Sequence, residues 1–225
     1  MNKTNGISYM GFDLDGTLID SRNAIYNCLK TTLPKYSNTI VENVLDTIFP
    51  LTLDQFPKYI DFFSKKDFEN FKHDFMKSFD ETYFKNISML SGARKSLELS
   101  VYEYKKNNVF ILTNRRIDSA IQICQHLGFF DIILKENLFS SDKNNKNNPK
   151  IHSLKNIIFK KYKNNSSGCY LGDSILDIEA AYKNSILPVY IHGEPNKCIM
   201  RDFNLILGYN VFSNLDEFNK TFFSG

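Results

Sequence analysis

The chain has 225 residues, 42% of them hydrophobic and 24% charged, with a formal net charge of +3. That length can bury a sizeable core in one or two domains, and the composition is that of an ordinary soluble globular protein. So small a charge gives no case for nucleic acid. No apolar run approaches the roughly 18 residues of a membrane span, and the first residues lack a signal-peptide core, so a cytoplasmic location is expected.

Residues 7–12 are a short apolar run with the character of a buried parallel strand, and Asp13-Leu14-Asp15-Gly16-Thr17 follows at once. Strand side chains alternate in direction, so Asp13 and Asp15 can start on one face. The chain must then turn sharply, and Gly16 permits the positive φ of such a turn. From residue 21 to about 84 helical spacing replaces strand-like runs. Ile25, Leu29 and Leu33 mark one helix, stopped by Pro34, and Ile40 to Ile48 mark a second, stopped by Pro50. A third is expected over 64–84. Ser64 and Asp67 resemble a capping box there, and Phe68, Phe71, Phe75, Phe79 and Tyr83 form a stripe that reads as helix core.

Beyond Gly92 the pattern alternates. Helices are expected over 93–106, 117–127, 151–162 and 175–184, and strands over 109–112, 132–134, 168–171 and 187–191. Gly128 is a natural left-handed stop for the second of these helices. Alternation of this kind predicts a doubly wound parallel α/β sheet, whose ligands lie beyond the carboxyl ends of the strands. Asp13, Thr113, Asn114 and Asp173 all stand at such ends, so one crevice can collect them. Carboxylates, a tight turn and exposed amide groups there suit a metal-assisted phosphoryl site. Asp177 lies one helical turn beyond Asp173, where it can face the same way. Lys143, Lys146 and Lys150 form the nearest lysine cluster, and residues 144–148 read as an Asn-rich loop.

Other chemistry-bearing residues have plainer readings. Cys28, Cys124 and Cys169 sit in apolar surroundings as reduced core residues, and Cys198 has no C-x-x-C partner. The four histidines show no metal-ligand spacing; His192, after an apolar strand, is the one placed near a loop of interest. Arg115 and Arg116 follow Thr113-Asn114 directly; one of them can reach an anionic substrate, but a solvated helix start is the better reading.

The ordered set Asp13-x-Asp15-Gly16-Thr17, Thr113 after a second strand, a lysine, and Gly172-Asp173-x-x-x-Asp177 resembles the haloacid dehalogenase-like hydrolase superfamily, over nearly the whole chain. The resemblance implies a Rossmann-like core over 1–19 and 88–225 and a helical cap over 20–87 that covers the site and selects the substrate. It makes Asp13 the nucleophile and Asp15 the general acid/base. Thr113, Asn114 and the Gly16 turn bind phosphate in this scheme. Mg²⁺ is held by Asp13, Asp15 (through its backbone carbonyl), Asp173 and Asp177, the last directly or from outside the metal's own ligands. The catalytic lysine is Lys150, at the start of the 151–162 helix, with Lys146 as the alternative and Lys143 a distant third.

The implied activity is a Mg²⁺-dependent phosphatase acting on a small phosphorylated metabolite through an aspartyl-phosphate, closest to phosphoglycolate-phosphatase-like members. A phosphomutase of the β-phosphoglucomutase type carries the same motifs and is the alternative within the enzyme class. Two rivals come from another class. A receiver-like signalling module shares Asp, Thr, Lys and Mg²⁺, but its phosphorylated Asp follows the third strand. A non-catalytic phospho-ligand-binding module has no need of Asp15. The sequence sets neither the metabolite nor the oligomeric state.

Overall fold

The computed structural model describes residues 6–49, 51, 53–141, 148–163, 167–191 and 210–223. Lys143, Lys146, His192 and Cys198 therefore lie outside the described residues. The chain divides into two compact units, one of Met1–Ile19 and Met89–Gly225, the other of Asp20–Ser88.

The larger unit is built on six parallel strands: β1 (Tyr9–Phe12), β4 (Val109–Thr113), β5 (Leu138–Ser140), β6 (Gly168–Gly172), β7 (Leu187–Ile191) and β8 (Val211–Phe212). Their order is β5-β4-β1-β6-β7-β8. Phe12 pairs with Ile111 on one side and Leu171 on the other, so β1 is central and the strand order reverses across it. The sheet is doubly wound, as the alternating pattern predicts. Every residue of β1, β4 and β6 is buried, which is why these strands read as continuous apolar runs rather than alternating ones.

Side-chain alternation divides the core into two layers. Tyr9, Phe110, Leu112 and Tyr170 pack against Leu154, Ile157 and Ile158 of α6 (Pro149–Tyr162) and Ala180 and Ala181 of α7 (Ile175–Lys183). From the other face Met10 accepts a hydrogen bond from Ser100 of α4 (Ala93–Tyr104). Ser96 ties α4 to Asn219 of the last described helix, α8 (Leu215–Phe222), at 2.8 Å. Between β4 and β5 lies α5 (Ile117–His126), and Gly128 follows it in the left-handed conformation, φ 70°.

One expected strand is absent. Residues 132–134 form a turn, because the N–H groups of Ile132 and Ile133 both donate to the Phe129 carbonyl instead of to a ladder. Their side chains are buried all the same, which is what made the run look like a strand. The strand that pairs with β4 on the side away from β1 is β5, six residues later. Buried Asn137 prepares it by donating to the carbonyls of Lys106 and Val109, both at 2.8 Å.

The second unit contains α1 (Arg22–Thr32), α2 (Val41–Ile48) and α3 (Lys65–Glu81). The Ser64 side chain caps α3 by accepting from the Asp67 N–H, 3.1 Å, and its hydroxyl donates to the Asp67 carboxylate, 2.6 Å. Phe71, Phe75 and Phe79 are buried and in ring contact at 5.7 and 6.0 Å, so the aromatic stripe is this unit's core. The chain passes between the units through β2 (Ile19–Asp20) and β3 (Ser88–Met89), two short segments that pair with each other. Among the described residues no helix is long and apolar enough to cross a membrane.

Candidate active site

The site forms where β1, β4 and β6 end. Asp13 continues β1 by donating its N–H to Leu171, 2.8 Å, and its side chain is buried. The chain then folds back within six residues, with Leu18 and Ile19 both donating to the Leu14 carbonyl and Gly16 to Ile19. Gly16 has φ +82°, and a Cβ there would lie 2.1 Å from Asp173 Oδ2. Glycine is thus required twice over, by backbone conformation and by the carboxylate beside it. Fully buried Thr17 donates to Asp173 at 3.4 Å, so the first and last motifs touch.

The last motif is held by a capping box. Ser174 at the N-cap of α7 accepts from the Asp177 N–H, and Asp177 accepts in return from the Ser174 N–H, 3.1 Å. The Ser174 hydroxyl also bonds Asp177 Oδ2. At the start of α6, Asn148 accepts from the Lys150 N–H, 3.1 Å, and donates to the Leu176 carbonyl, 2.8 Å, tying the two helix starts together. Lys150 then reaches inward. Its ammonium lies 2.6 Å from Asp13 Oδ1 and 2.5 Å from Asp177 Oδ1, and only 3% of the side chain is exposed. Burial opposes its charge, but the carboxylates of Asp13 and Asp177 hold its pKa well above the ordinary lysine value.

Arg115 corrects the sequence reading. It is not solvated: 13% of its side chain is exposed, and it makes a two-pronged pair with Asp15, Nε to Oδ2 at 3.1 Å and Nη2 to Oδ1 at 2.5 Å. The planar guanidinium matches a carboxylate in this way where a lysine could not. The turn that carries Arg115 is braced from β5. Ser140 Oγ donates to the Arg115 carbonyl, 2.6 Å, Ser141 N–H to the Thr113 carbonyl, 2.8 Å, and Ser141 Oγ to Asn114 Oδ1, 2.7 Å. Sequence reasoning missed Ser140, Ser141 and the use of Arg115. The signal for Arg115 was its position directly after Thr113-Asn114, but a pair of arginines at a helix start usually faces water.

Asp13, Asp173 and Asp177 offer carboxylate oxygens that all lie within 4.8 Å of one another. Counting Asp15, four carboxyl groups face the cations Lys150 and Arg115, so full ionisation would leave two negative charges in excess among the described residues. The excess shows in the titration. Burial and the Asp177 charge, against Lys150, push Asp173 up to about 7. Burial also raises Asp13 well above the carboxylate range, although Lys150 opposes it. Hard oxygen donors that outnumber the cations beside them and hold protons until one arrives fit a divalent cation of the Mg²⁺ type. Of Asp13, Asp173 and Asp177, the last has both oxygens engaged, with Lys150 on one and Ser174 on the other.

Of the residues singled out in the sequence, Asp13, Asp173, Asp177 and Lys150 meet in one cluster, and Gly16 and Thr17 adjoin it. Asp15 is joined through Arg115 to the end of β4, which carries Thr113 and Asn114. A doubly wound α/β core with an acidic site at its strand ends, and a helical unit inserted after the first strand, defines the class. A family profile described as haloacid dehalogenase-like hydrolase matches residues 11–190. The chain belongs to this hydrolase family.

Solved structures agree on the fold. A family IA hydrolase of this type from Entamoeba histolytica is 19% identical, with TM-score 0.73, over 94% of this chain and 95% of that one. A family hydrolase from Deinococcus radiodurans, whose structure carries bound phosphate and sodium, is 14% identical, with TM-score 0.69, over 96% and 94%. A protein from Haemophilus somnus described as a predicted phosphoglycolate phosphatase is 18% identical, with TM-score 0.68, over 83% and 85%. No curated protein matches the chain.

Proposed function

We propose that the protein is a Mg²⁺-dependent phosphatase that hydrolyses a small phosphorylated metabolite through an aspartyl-phosphate on Asp13. The observation that carries this reading is the buried contact of Asp13 with Lys150, 2.6 Å, in a cluster of excess negative charge. A lone catalytic acid has no use for that excess; a site that takes a divalent cation and then a phosphate ester does.

In this reading Asp15 carries its proton once it turns from Arg115 toward the substrate; an Asp13 carboxylate oxygen attacks phosphorus and the ester oxygen leaves with that proton. Asp15 then takes a proton from the water that attacks the aspartyl-phosphate, which releases orthophosphate and restores Asp13. The Thr113 hydroxyl and the Asn114 amide donate to the phosphoryl oxygens, and Lys150 neutralises charge on Asp13 and on the incoming group. Asp13, Asp173 and the Asp15 carbonyl would hold Mg²⁺, which supplies charge neutralisation for the approach of one anion to another. Asp177, occupied by Lys150 and Ser174, keeps that lysine in place.

We assign substrate choice to the inserted unit, residues 20–88, which has its own aromatic core and can vary without disturbing the sheet. Three buried free thiols, Cys28, Cys124 and Cys169, suit a reducing compartment such as the cytoplasm. Phosphoglycolate and similar small esters are the first substrates to try, since a similar fold carries that description.

The test is turnover of a panel of phosphomonoesters with Mg²⁺ by the wild type and by Asp13→Asn. This substitution keeps shape and removes the nucleophile, so a loss of about a thousandfold or more is expected. Turnover by the variant near the wild-type rate would sink the mechanism.

A further inference from the structure

The two side chains at the end of β4 are both pinned through their oxygens. Thr113, 1% exposed, accepts from the Arg115 N–H at 3.0 Å. Asn114 Oδ1 accepts from the Ser141 hydroxyl at 2.7 Å. Among the described residues neither the Thr113 hydroxyl proton nor the Asn114 Nδ2 group donates to anything. Ser141 is itself buried, 6% exposed, and comes from a different strand end, just past β5.

We propose that Ser141 is a positioning residue for phosphoryl binding: its buried hydroxyl holds Asn114 by the amide oxygen, which leaves both Nδ2 hydrogens for an anion at the strand ends. An asparagine amide has an acceptor end and a donor end of nearly the same shape. A site for phosphate needs the donor end, and an amide turned the other way would set a carbonyl oxygen against a phosphoryl oxygen. Ser141 favours the first. With the amide reversed, Ser141 Oγ would accept from Nδ2, so one amide hydrogen would be spent on the serine and its own proton would lose Asn114 as acceptor. The Ser141 N–H fixes the same turn by donating to the Thr113 carbonyl, 2.8 Å, so the hydroxyl that orients Asn114 has a rigid base.

This inference rests on the phosphatase reading for its ligand, but its test separates the two. The wild type, Ser141→Ala, Asn114→Ala and the double variant are compared by kcat/KM on a phosphomonoester with Mg²⁺, and by Kd for orthophosphate from calorimetry. Ser140→Ala is the control, because Ser140 braces the Arg115 carbonyl and does not touch Asn114.

Ser141→Ala is expected to lose about three- to tenfold, the size of one neutral hydrogen bond. Asn114→Ala should lose about tenfold or more, since its donors meet a charged group. The double variant should be no worse than Asn114→Ala, while Ser140→Ala costs the same in both backgrounds. Equal losses from Ser141→Ala with and without Asn114 would overturn the proposal, as would no loss in the wild type. If Ser141→Ala does not fold, Ser141→Cys, which keeps the size with a poor donor, takes its place. A wild type that binds orthophosphate without turnover refutes the phosphatase reading and leaves the cycle in Kd to decide this one. A wild type that does neither overturns both.

Discussion

Lys150 is the residue on which the site's charges turn. An ammonium this deeply buried stays charged only because carboxylates touch it on both sides, Asp13 at 2.6 Å and Asp177 at 2.5 Å. Removing one partner of a buried ionic cluster strands the others, at about 3–5 kcal/mol. Lys150→Met should therefore unfold at lower denaturant and lose activity by about a hundredfold or more, as when a cation leaves a water-excluded phosphoryl site. Denaturant midpoints and kcat/KM for Lys150→Met and Lys146→Met decide its role. A Lys150→Met variant that is destabilised but active, beside an inactive Lys146→Met, would make Lys150 a structural counter-ion only. At this scale the sequence was legible wherever side-chain chemistry and strand-end position coincided. Asp13, Asp15, Thr113 and Asp173 stood out for that reason, and Lys150 through its place at a helix start. Arg115 did not, although it directly follows Thr113-Asn114, because paired arginines at a helix start usually face water; Ser141 did not, because its contact with Asn114 depends on which strand ends become neighbours, and no local spacing encodes that.

Elements carry these residues to one place through close backbone approach. Helix α7 sits against the end of β6 so tightly that a Cβ at Gly172 would lie 2.2 Å from the Asp177 Cβ. Gly172→Ala must push α7 outward and take Asp177 with it, so Lys150 loses its aim. We expect about 1–3 kcal/mol of destabilisation, the usual cost of overpacking, together with a fall in kcat/KM of the same sense as Lys150→Met but smaller. Thermal unfolding and kinetics of Gly172→Ala check this; an unchanged melting temperature would contradict the packing described. Most elements were readable from apolar periodicity. The strand expected over 132–134 was not there because burial alone does not make a strand: the N–H groups of Ile132 and Ile133 were already spent on Phe129. Strand β5 was overlooked as a three-residue piece between polar neighbours. Helix α8 carried a signal that went unread, an Asn214 cap accepting from Glu217 at 2.9 Å and buried Leu215, Phe218 and Phe222 at helical spacing.

Charge is distributed unevenly over the whole molecule: the chain is formally +3, yet its site gathers four carboxyl groups against two cations among the described residues. The consequence is a stability that depends on pH and metal together. Asp173 titrates at about 7 in the folded protein without metal, against about 3.9 for a free aspartate. Between those values the unfolded chain has released the proton that the folded chain still binds, so this group's contribution to stability falls as pH rises toward 7. A divalent cation reverses the sign, because it binds the carboxylate and must displace a proton from the acid. Above pH about 8 Asp173 has no proton to displace; each pH unit below 7 weakens apparent affinity by up to about tenfold for this one proton. Saturating Mg²⁺ at about 100 times its Kd stabilises by roughly 2.7 kcal/mol, so at a fixed concentration the melting temperature should rise more at about pH 8 than at about pH 6. Asp173→Asn should abolish both the shift and most of its pH dependence, and EDTA should remove wild-type activity along with it. Equal Mg²⁺ shifts at the two pH values, or an undiminished shift in Asp173→Asn, would mean that the cation is held elsewhere and that the acidic cluster is not its site.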